Sequence, residues 1–310
     1  MAKMEKSYPL RATVPGAKFN IVLLGAGGTG GQVLAQVAKI KALGLDNSKI
    51  GNFDLTLVDG DEVESKNCTR QNFFEMDIGG NKAEILAARY GEAYGTDIGY
   101  VDHYIEGEDE LAKIVGSSVG ATPIIIGCVD NHKTRLMIDK VFTKTNGIFW
   151  VDSGNEEFGG QVVCGYNNRR GSREIRRVGT DINTRMRRQR DFMKSFRFDL
   201  PSVTEIYPEI GRKSDLKFNS ELSCAERAES SPQNIIVNSM AAQVVMMFVR
   251  KILISEDITS HCVTYSIRSM SARTMFNKNS TIKEVMKRYD EVMTAPEPEA
   301  EVVVDEQPIE

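Results

Sequence analysis

A glycine-rich segment near the start of the chain has the spacing of a phosphate-binding turn. The sequence LLGAGGTGG follows an apolar run at 19–25 and precedes apolar residues at helical spacing over 30–43. Glycine lets the backbone turn tightly and approach a phosphate, and the free N–H groups of the following helix then face the anion. The segment therefore predicts a nucleotide site. Its glycines are Gly25, Gly27, Gly28 and Gly30.

An acidic residue after the next apolar run indicates that the nucleotide carries a ribose. DLTLVDGDEV (54–63) is typical of a strand that ends in acidic residues. Asp59 is placed there to accept hydrogen bonds from ribose hydroxyls. ATP and NAD both carry that ribose, so Asp59 does not distinguish between them.

Polar residues beyond Asp59 favour a triphosphate over a dinucleotide. Arginine and asparagine can hold phosphate oxygens and stabilise the charge that develops as pyrophosphate leaves. Asp130 ends the apolar run PIIIGCVD (123–130), on the sheet edge where ligands bind, and a carboxylate there suits Mg²⁺ between nucleotide oxygens. The other predicted ligands are Asp61, Asn67, Arg70, Gln71 and Lys82.

Alternating strands and helices must position these groups. Strand–helix alternation over the first half of the chain predicts an α/β, doubly wound, Rossmann-like and mostly parallel sheet. The run at 123–130 suits a strand that is buried on both faces. The expected strands are 19–25, 54–63, 99–105, 123–130 and 147–152, and the expected helices are 30–43, 80–94, 107–116 and 131–144.

The second half of the chain departs from this alternation. A strand at 161–166 precedes a long, partly irregular crossover insertion at 167–232, which is rich in arginine from 169 to 197. That arginine-rich stretch is a solvated surface, a docking site for an acidic carrier, or a nucleic-acid contact. An apolar helix at 234–254, an antiparallel hairpin at 262–268 and 272–278, a helix at 281–293 and a disordered acidic tail at 295–310 are expected to follow.

Composition argues against several classes of protein. The net charge of -4 and the pI near 5.7 give no drive toward nucleic acid or an anionic membrane. No apolar run reaches the roughly 20 residues of a membrane helix. Five cysteines without a C-x-x-C pair argue against a disulfide framework and against structural zinc. We therefore expect a cytoplasmic protein.

Four joined motifs resemble the ThiF/MoeB/HesA family, relatives of the ubiquitin-activating enzymes. They are GAGGTG, DGDEVESKNCTRQ, GGNK and GCVDN. The resemblance covers 18–165 and resumes at 222–254, and it implies one adenylation domain at 18–294 after an N-terminal arm at 1–17. PSVTEIYPEI (201–210) most resembles the PRTRC-system ThiF subgroup.

This resemblance implies a reaction, a cofactor and partners. The family adenylates the C-terminal carboxylate of a small ubiquitin-like or sulfur-carrier-like β-grasp protein with ATP. By resemblance, Asn67, Arg70 and Lys82 would contact phosphates, Asp59 the ribose, and Asp130 would carry Mg²⁺. A homodimer is expected on the same ground.

Cys224 is the cysteine that could take part in chemistry. Its S-C-A-E context resembles the thioester cysteine of some family members, and Arg227 nearby would lower the pKa of its thiol. The alternative is an idle loop cysteine, because related enzymes without a required thiol carry one in the same place.

Two other functions stay open from the residues. An NAD-dependent oxidoreductase would explain the glycines and Asp59, but not Asn67, Arg70, Lys82 and Asp130. A non-catalytic nucleotide-binding scaffold would keep the fold and leave Cys224 idle.

Overall fold

Eight strands form one sheet in the described part of the chain, which comprises residues 7–10, 12–13, 15–44, 50–168, 199–211 and 235–295 of a computed structural model. The strands are β1 (Phe19–Leu24), β2 (Phe53–Val58), β3 (Gly99–Val101), β4 (Thr122–Gly127), β5 (Ile148–Asn155), β6 (Gly159–Asn167), β7 (Ser260–Ser266) and β8 (Ser271–Phe276). Their order across the sheet is β3-β2-β1-β4-β5-β6-β7-β8.

Helices cover both faces of this sheet. The longer ones among the described residues are α1 (Gly28–Gly44), α2 (Lys82–Tyr94), α3 (Glu108–Val115), α4 (His132–Lys144), α5 (Ile235–Leu253) and α6 (Asn279–Thr294). A short helix at Val203–Ile206 and 3₁₀ turns at Ser65–Asn67, Glu75–Asp77 and Pro208–Gly211 complete the described elements.

Alternation along β1 divides the core into two layers. Ile21 and Leu23 pack with the helices α1, α2 and α5, whereas Val22 and Leu24 pack with α3, α4 and α6. Successive side chains of a strand point to opposite faces, so a central strand buried on both faces must be apolar throughout. All six residues of β1 are buried, and the predicted doubly wound α/β fold is confirmed.

The sheet changes from parallel to antiparallel after β5. Neighbouring strands from β3 to β5 pair in parallel, while β6, β7 and β8 each pair antiparallel to the strand before them. The carboxyl ends of the parallel strands therefore meet at one edge, where ligands bind in open α/β sheets. The predicted antiparallel C-terminal extension is likewise confirmed.

Two predicted strands are shorter than expected, for one shared reason. β2 was expected to continue to residue 63 and β3 to residue 105, but they end at Val58 and Val101. A Cβ atom on Gly60 would lie 2.5 Å from the backbone nitrogen of Tyr104, so the segments after the two strands pack directly against each other. Beyond the last backbone hydrogen bond, from the N–H of Asp59 to the carbonyl oxygen of Val101, the two segments meet in this contact at the carboxyl edge.

Helix α5 packs against α1 and against strands β5 and β6. Ala241, Val245 and Val249 lie on its fully buried face. By length and composition α5 is the one helix of the described residues that could cross a membrane, and 56% of its apolar window is buried inside the protein. Core helices of soluble proteins meet the same criteria, so this is weak support for a membrane span.

Much of the predicted insertion at 167–232 lies outside the described residues. The arginine-rich stretch and Cys224 both fall in that part, and most of the predicted acidic tail also lies outside the described residues. Within the insertion, Leu200 exchanges backbone hydrogen bonds with Tyr166, and Ser202 caps the short helix that follows.

Candidate functional site

The glycine turn between β1 and α1 is too closely packed for side chains at two of its positions. Gly25 has a φ of +97°, and a Cβ atom there would lie 2.5 Å from the carbonyl oxygen of Cys128 at the end of β4. A Cβ atom on Gly30 would overlap the carbonyl oxygen of Gly25. The turn therefore admits no side chain at these two positions. It leads into α1 at Gly28, where the positive end of the helix dipole suits an anion.

Asp59 joins the end of β2 to the glycine turn. Its two carboxylate oxygens accept hydrogen bonds from the backbone N–H groups of Ala26 at 2.6 Å and Asp61 at 2.8 Å. Burial, and then the neighbouring carboxylate of Asp61, raise the pKa of Asp59 against the opposing effects of Lys82 and the two N–H groups. Each carboxylate oxygen retains lone-pair capacity for a further donor such as a ribose hydroxyl.

Lys82 is a buried cation at the same edge of the sheet. It is 7% exposed, and its Nζ lies 2.8 Å from Oδ2 of Asp61. Tyr104 donates a hydrogen bond from its hydroxyl to the other oxygen of Asp61. A buried ammonium group must be paired. Asp61, which was predicted to contact the nucleotide, therefore pairs with Lys82 and holds it beside Asp59.

Asn81 positions Lys82 at the start of α2. Its Oδ1 accepts hydrogen bonds from the N–H groups of Ala83 and Glu84, which makes it the N-cap of the helix. Its Nδ2 donates to the carbonyl oxygens of Asp59 and Asp102, each at 3.0 Å. Sequence analysis did not single out Asn81, although asparagine before a helix is an N-cap pattern.

The predicted Asn67–Arg70–Gln71 group is organised by a 3₁₀ turn. Asn67 is 2% exposed, and its Oδ1 accepts a hydrogen bond from the N–H of Glu64 at 2.8 Å. The carbonyl oxygen of Asn67 in turn accepts from the N–H groups of Arg70 and Gln71. Asn67 therefore shapes the turn, and only its Nδ2 side is left to meet a phosphate as predicted.

Gln71 lies against the glycine turn. A Cβ atom on Gly27 would be 3.9 Å from its Nε2, and its buried Oε1 has no hydrogen-bond partner among the described residues. Arg70 is half-buried in the same turn. The segment that follows is held by Arg89, which binds both carboxylate oxygens of Asp77 at 2.6 Å, a contact that sequence analysis missed.

Asp130 is exposed just beyond β4, next to the glycine turn. Among the described residues, no three His, Cys, Asp or Glu side chains come together to hold a metal ion. Mg²⁺ in nucleotide sites commonly uses one or two carboxylates together with phosphate oxygens and water. A single carboxylate at this edge fits that donor set, provided that the nucleotide supplies the remaining oxygens.

A buried ion pair, which sequence analysis missed, holds the segment before Asp130. Nε of Arg135 donates to Oδ1 of Asp152 at 3.0 Å, and its Nη2 donates to the carbonyl oxygens of Val129 at 2.8 Å and Ser153 at 3.0 Å. Burial raises the pKa of Asp152 to about 6 in spite of Arg135. Arg135 therefore ties the β4–α4 connection to the end of β5.

The described cysteines are free thiols, and burial suppresses the reactivity of three of them. Burial raises the pKa of Cys128 and of Cys164 to about 12, and that of Cys262 to about 11. A thiol with so high a pKa supplies almost no thiolate near neutral pH. Cys164 and Cys262 are both fully buried in the core.

The structure thus gathers most predicted ligands at one sheet edge. Asp59, Asp61 and Lys82 form one connected group, and Gln71 adjoins the glycine turn. Arg70 and Asp130 lie at the same edge of the sheet. Cys224 lies outside the described residues.

Solved structures with the same overall fold are crystal structures of the enzyme MccB. Escherichia coli MccB with succinimide is 15% identical with a TM-score of 0.51 and is matched over 84% of this chain and 64% of that chain. The ATP complex of E. coli MccB is 16% identical with a TM-score of 0.50, and the match covers 86% of this chain and 66% of that chain. The microcin C7 biosynthetic enzyme MccB with N-formylated MccA is 17% identical with a TM-score of 0.50, and the match covers 84% of this chain and 65% of that chain.

These similarities establish the fold, although the sequences are only 15% to 17% identical. The chain spans only 64% to 66% of the length of those MccB chains. No curated protein sequence matches it.

A match to a sequence-family model assigns the family, which the structural similarities alone do not. The ThiF family model matches residues 17–285, which include every strand and the glycine, Asp59, Lys82 and Asp130 positions. The chain therefore belongs to the ThiF family.

Proposed function

We propose that this chain binds ATP with Mg²⁺ and adenylates the carboxylate of a peptide or small protein. The observation that carries the proposal is the buried Lys82, paired with the partly exposed Asp61, beside Asp59 and the glycine turn. A ribose-binding carboxylate alone would suit NAD equally well, whereas a fixed cation next to it suits a triphosphate.

The proposed reaction joins two anions. A carboxylate oxygen of the substrate attacks the α-phosphorus of ATP, a C–O–P bond forms, and the bond from the α-phosphorus to its bridging oxygen breaks. Pyrophosphate leaves with that electron pair, and no proton transfer is required. Catalysis of such a step depends on orientation and charge neutralisation more than on a general base.

Each residue would have a limited task in this step. The N–H groups of the glycine turn and α1 would bind phosphate oxygens. Arg70 and Lys82 would balance the charge that builds up on the leaving pyrophosphate. Asp130 would hold Mg²⁺, which would supply further neutralisation of the phosphate charge.

ATP–pyrophosphate exchange tests the proposal. We expect labelled pyrophosphate to enter ATP when the protein is supplied with small β-grasp proteins or peptides that have a free C-terminal carboxylate. Lys82→Ala should lower exchange by at least tenfold, because a fixed charge-assisted contact to phosphate is lost. Lys144→Ala is the matched control, since Lys144 is exposed, pairs with Glu108 at 2.8 Å and lies at the opposite end of α4 from Asp130.

Other outcomes would support the competing functions. ATP binding without exchange in the presence of any carboxylate partner would favour a non-catalytic scaffold. Tighter binding of NAD than of ATP would favour an oxidoreductase and exclude adenylation.

The finer proposal concerns the partner and the setting. We propose a ubiquitin-like or sulfur-carrier-like β-grasp protein as the substrate, a homodimer as the assembly and the cytoplasm as the location. Residues 18–294 would form one adenylation domain, and PSVTEIYPEI at 201–210 supports the PRTRC-system subgroup. MccB in complex with N-formylated MccA is a structural relative that binds a different partner, so a peptide substrate is the outcome to test against.

Cys224 carries the proposed second step. Its thiolate would attack the acyl-adenylate carbonyl, form a thioester and release AMP. Cys224→Ala should abolish a thiol-sensitive conjugate with the β-grasp partner and leave pyrophosphate exchange unchanged. If wild-type protein with ATP and an exchanging partner never forms such an adduct, Cys224 has no thioester role.

A further inference from the structure

A buried cluster of amide and hydroxyl side chains lies beside the glycine turn. Asn155 donates from Nδ2 to Oγ1 of Thr29 and to Oδ1 of Asn238, both at 2.9 Å. The hydroxyl of Thr29 donates to the same oxygen of Asn238 at 3.3 Å, and the hydroxyl of Tyr265 donates to Oδ1 of Asn155 at 2.8 Å. These four residues, the amide cluster, connect α1, β5, α5 and β7.

One donor of the amide cluster is left over. Asn238 is 1% exposed, yet its Nδ2 has no hydrogen-bond partner in the described part of the chain. A buried donor without a partner costs about 1–3 kcal/mol, and buried polar groups are almost always satisfied. The position therefore offers an N–H group to an oxygen acceptor that the described chain does not supply.

The sheet order indicates which part of a reacting complex would meet this donor. Asp59 follows β2, the glycine turn follows β1, and Asn155 ends β5 on the opposite side of that turn. A nucleotide with its ribose at Asp59 and its phosphates at the turn leaves the β5 side for the second reactant. Thr29 belongs to the first turn of α1, so the amide cluster adjoins the phosphate-binding backbone itself.

A neutral donor suits a carboxyl group that must act as a nucleophile. A lysine or arginine at this place would bind the carboxylate strongly and withdraw charge from the attacking oxygen. An amide N–H orients the oxygen with a weaker interaction. It also remains a suitable donor to the carbonyl oxygen once the carboxylate has become an uncharged acyl group.

We infer that Asn238, held in place by Asn155, binds the carboxyl oxygen of the acyl substrate and keeps hold of it in the acyl-adenylate. This inference rests on the proposed function, because it assigns the second reactant of that reaction. The role of Asn155 and Tyr265 is positioning: they fix the orientation of the Asn238 amide through the network.

Binding of an acyl-adenylate analogue tests the inference without knowledge of the natural substrate. The probe is 5′-O-(glycylglycyl-sulfamoyl)adenosine, and the reference ligands are 5′-O-sulfamoyladenosine and AMP, all measured by titration calorimetry on the full chain. Wild-type protein should bind the acyl probe more tightly than sulfamoyladenosine. Asn238→Ala should remove about tenfold of that preference and leave the affinity for AMP unchanged.

Two further variants separate recognition from loss of structure. Tyr265→Phe removes only the hydroxyl that holds Asn155, and we expect a smaller loss, about two- to threefold, for the acyl probe alone. Asn20→Ala is the matched control, since Asn20 is 2% exposed and donates to the carbonyl oxygens of Ile114 and Val115 at 3.0 and 2.9 Å, away from the carboxyl edge. It should preserve the ratio of the two affinities.

The outcomes distinguish this inference from the proposed function. Equal binding of the acyl probe and sulfamoyladenosine by wild-type protein, or an unchanged preference in Asn238→Ala, overturns the inference and leaves ATP chemistry in place. In that case the Asn238 amide is satisfied by water. Failure of every adenosine ligand to bind overturns the proposed function and the inference together.

Discussion

Gly25 combines a backbone conformation that disfavours side chains with a neighbour that leaves no room for one. Its φ is +97°, and a Cβ atom would lie 2.5 Å from the carbonyl oxygen of Cys128. Gly25→Ala should therefore lower the free energy of unfolding by about 3 kcal/mol, from the left-handed backbone and the overlap together. ATP affinity should fall in the same variant, because the turn must move to accept the methyl group.

Gly120 supplies the control for this substitution. Its φ is +73°, but a Cβ atom there meets no heavy atom within 4 Å. Gly120→Ala should cost only the backbone term, about 1–2 kcal/mol, and ATP affinity should not change. Equal losses in the two variants, measured by urea unfolding, would show that Gly25 matters for its conformation alone.

Asp152 makes stability depend on pH in an unusual direction. Because burial raises its pKa from 3.8 to about 6, the folded protein holds a proton there that the unfolded chain releases. Stability from this group is thus greatest below about pH 4 and is lost as the pH rises to about 6. The shift corresponds to about 3 kcal/mol.

Asp152→Asn tests this sign. The variant cannot titrate at this position, so its stability relative to wild type should improve by about 3 kcal/mol between pH 4 and pH 7. Urea midpoints across this pH range measure the difference. Parallel curves for wild type and variant would mean that Arg135 keeps Asp152 ionised throughout.

Residue types predicted the site better than they predicted the partners of each residue. Asp59 and Lys82 were expected to face ligand from their place after a strand and before a helix. Their mutual connection through Asp61 depends on two segments folding together. Arg135 was missed because a single arginine on a helix gives no sign that it is buried.

Among the elements, α2 carries Lys82 of the site in its first turn. Asn81 both caps this helix and ties it to the segments after β2 and β3. Asn81→Ala should cost about 1 kcal/mol of stability and reduce ATP affinity about threefold or more, because Lys82 loses its fixed position. Urea unfolding and titration with ATP provide the two measurements.

Asn81→Ser separates the cap from the tether. Serine keeps an N-cap oxygen but is too short to reach the carbonyl groups of Asp59 and Asp102. The serine variant should regain most of the stability and still bind ATP as weakly as the alanine variant. ATP affinity that recovers along with stability would assign the whole effect to the cap.

Element positions followed from periodicity, and element ends did not. The apolar run at 123–130 predicted β4, and Ile124, Ile125 and Ile126 are indeed fully buried. The segments beyond β2 and β3 meet where Gly60 contacts Tyr104, 44 residues away in the chain. The local sequence pattern does not predict a contact between residues so far apart in the chain.

For the whole molecule, ligand binding should appear as added stability. ATP with Mg²⁺ at a hundred times its dissociation constant should raise the free energy of unfolding by about 2.7 kcal/mol. NAD at the same concentration should give little change, and Lys82→Ala should weaken the effect of ATP. Thermal unfolding with each ligand measures this, and a larger shift with NAD would contradict the ATP assignment.

The amide cluster shows where prediction from sequence had to stop. Thr29, Asn155, Asn238 and Tyr265 come from four elements, and no motif joins them. Only the completed sheet, with α5 packed across it, brings them within hydrogen-bond distance. The fold class needed only the alternation of strands and helices, whereas the second half of the site needed the tertiary structure.

The strand order has a consequence for how the chain assembles as it is synthesised. After β4, each new strand is added beside the one made before it, so the sheet can extend in the order of translation. Leu10 is the exception: it is 1% exposed and exchanges backbone hydrogen bonds with Ile258, near the far end of the chain. A nascent chain that stops before Ile258 should therefore be cleaved by protease near Leu10 while β1 is protected, because the segment around Leu10 can dock only after Ile258 has been made.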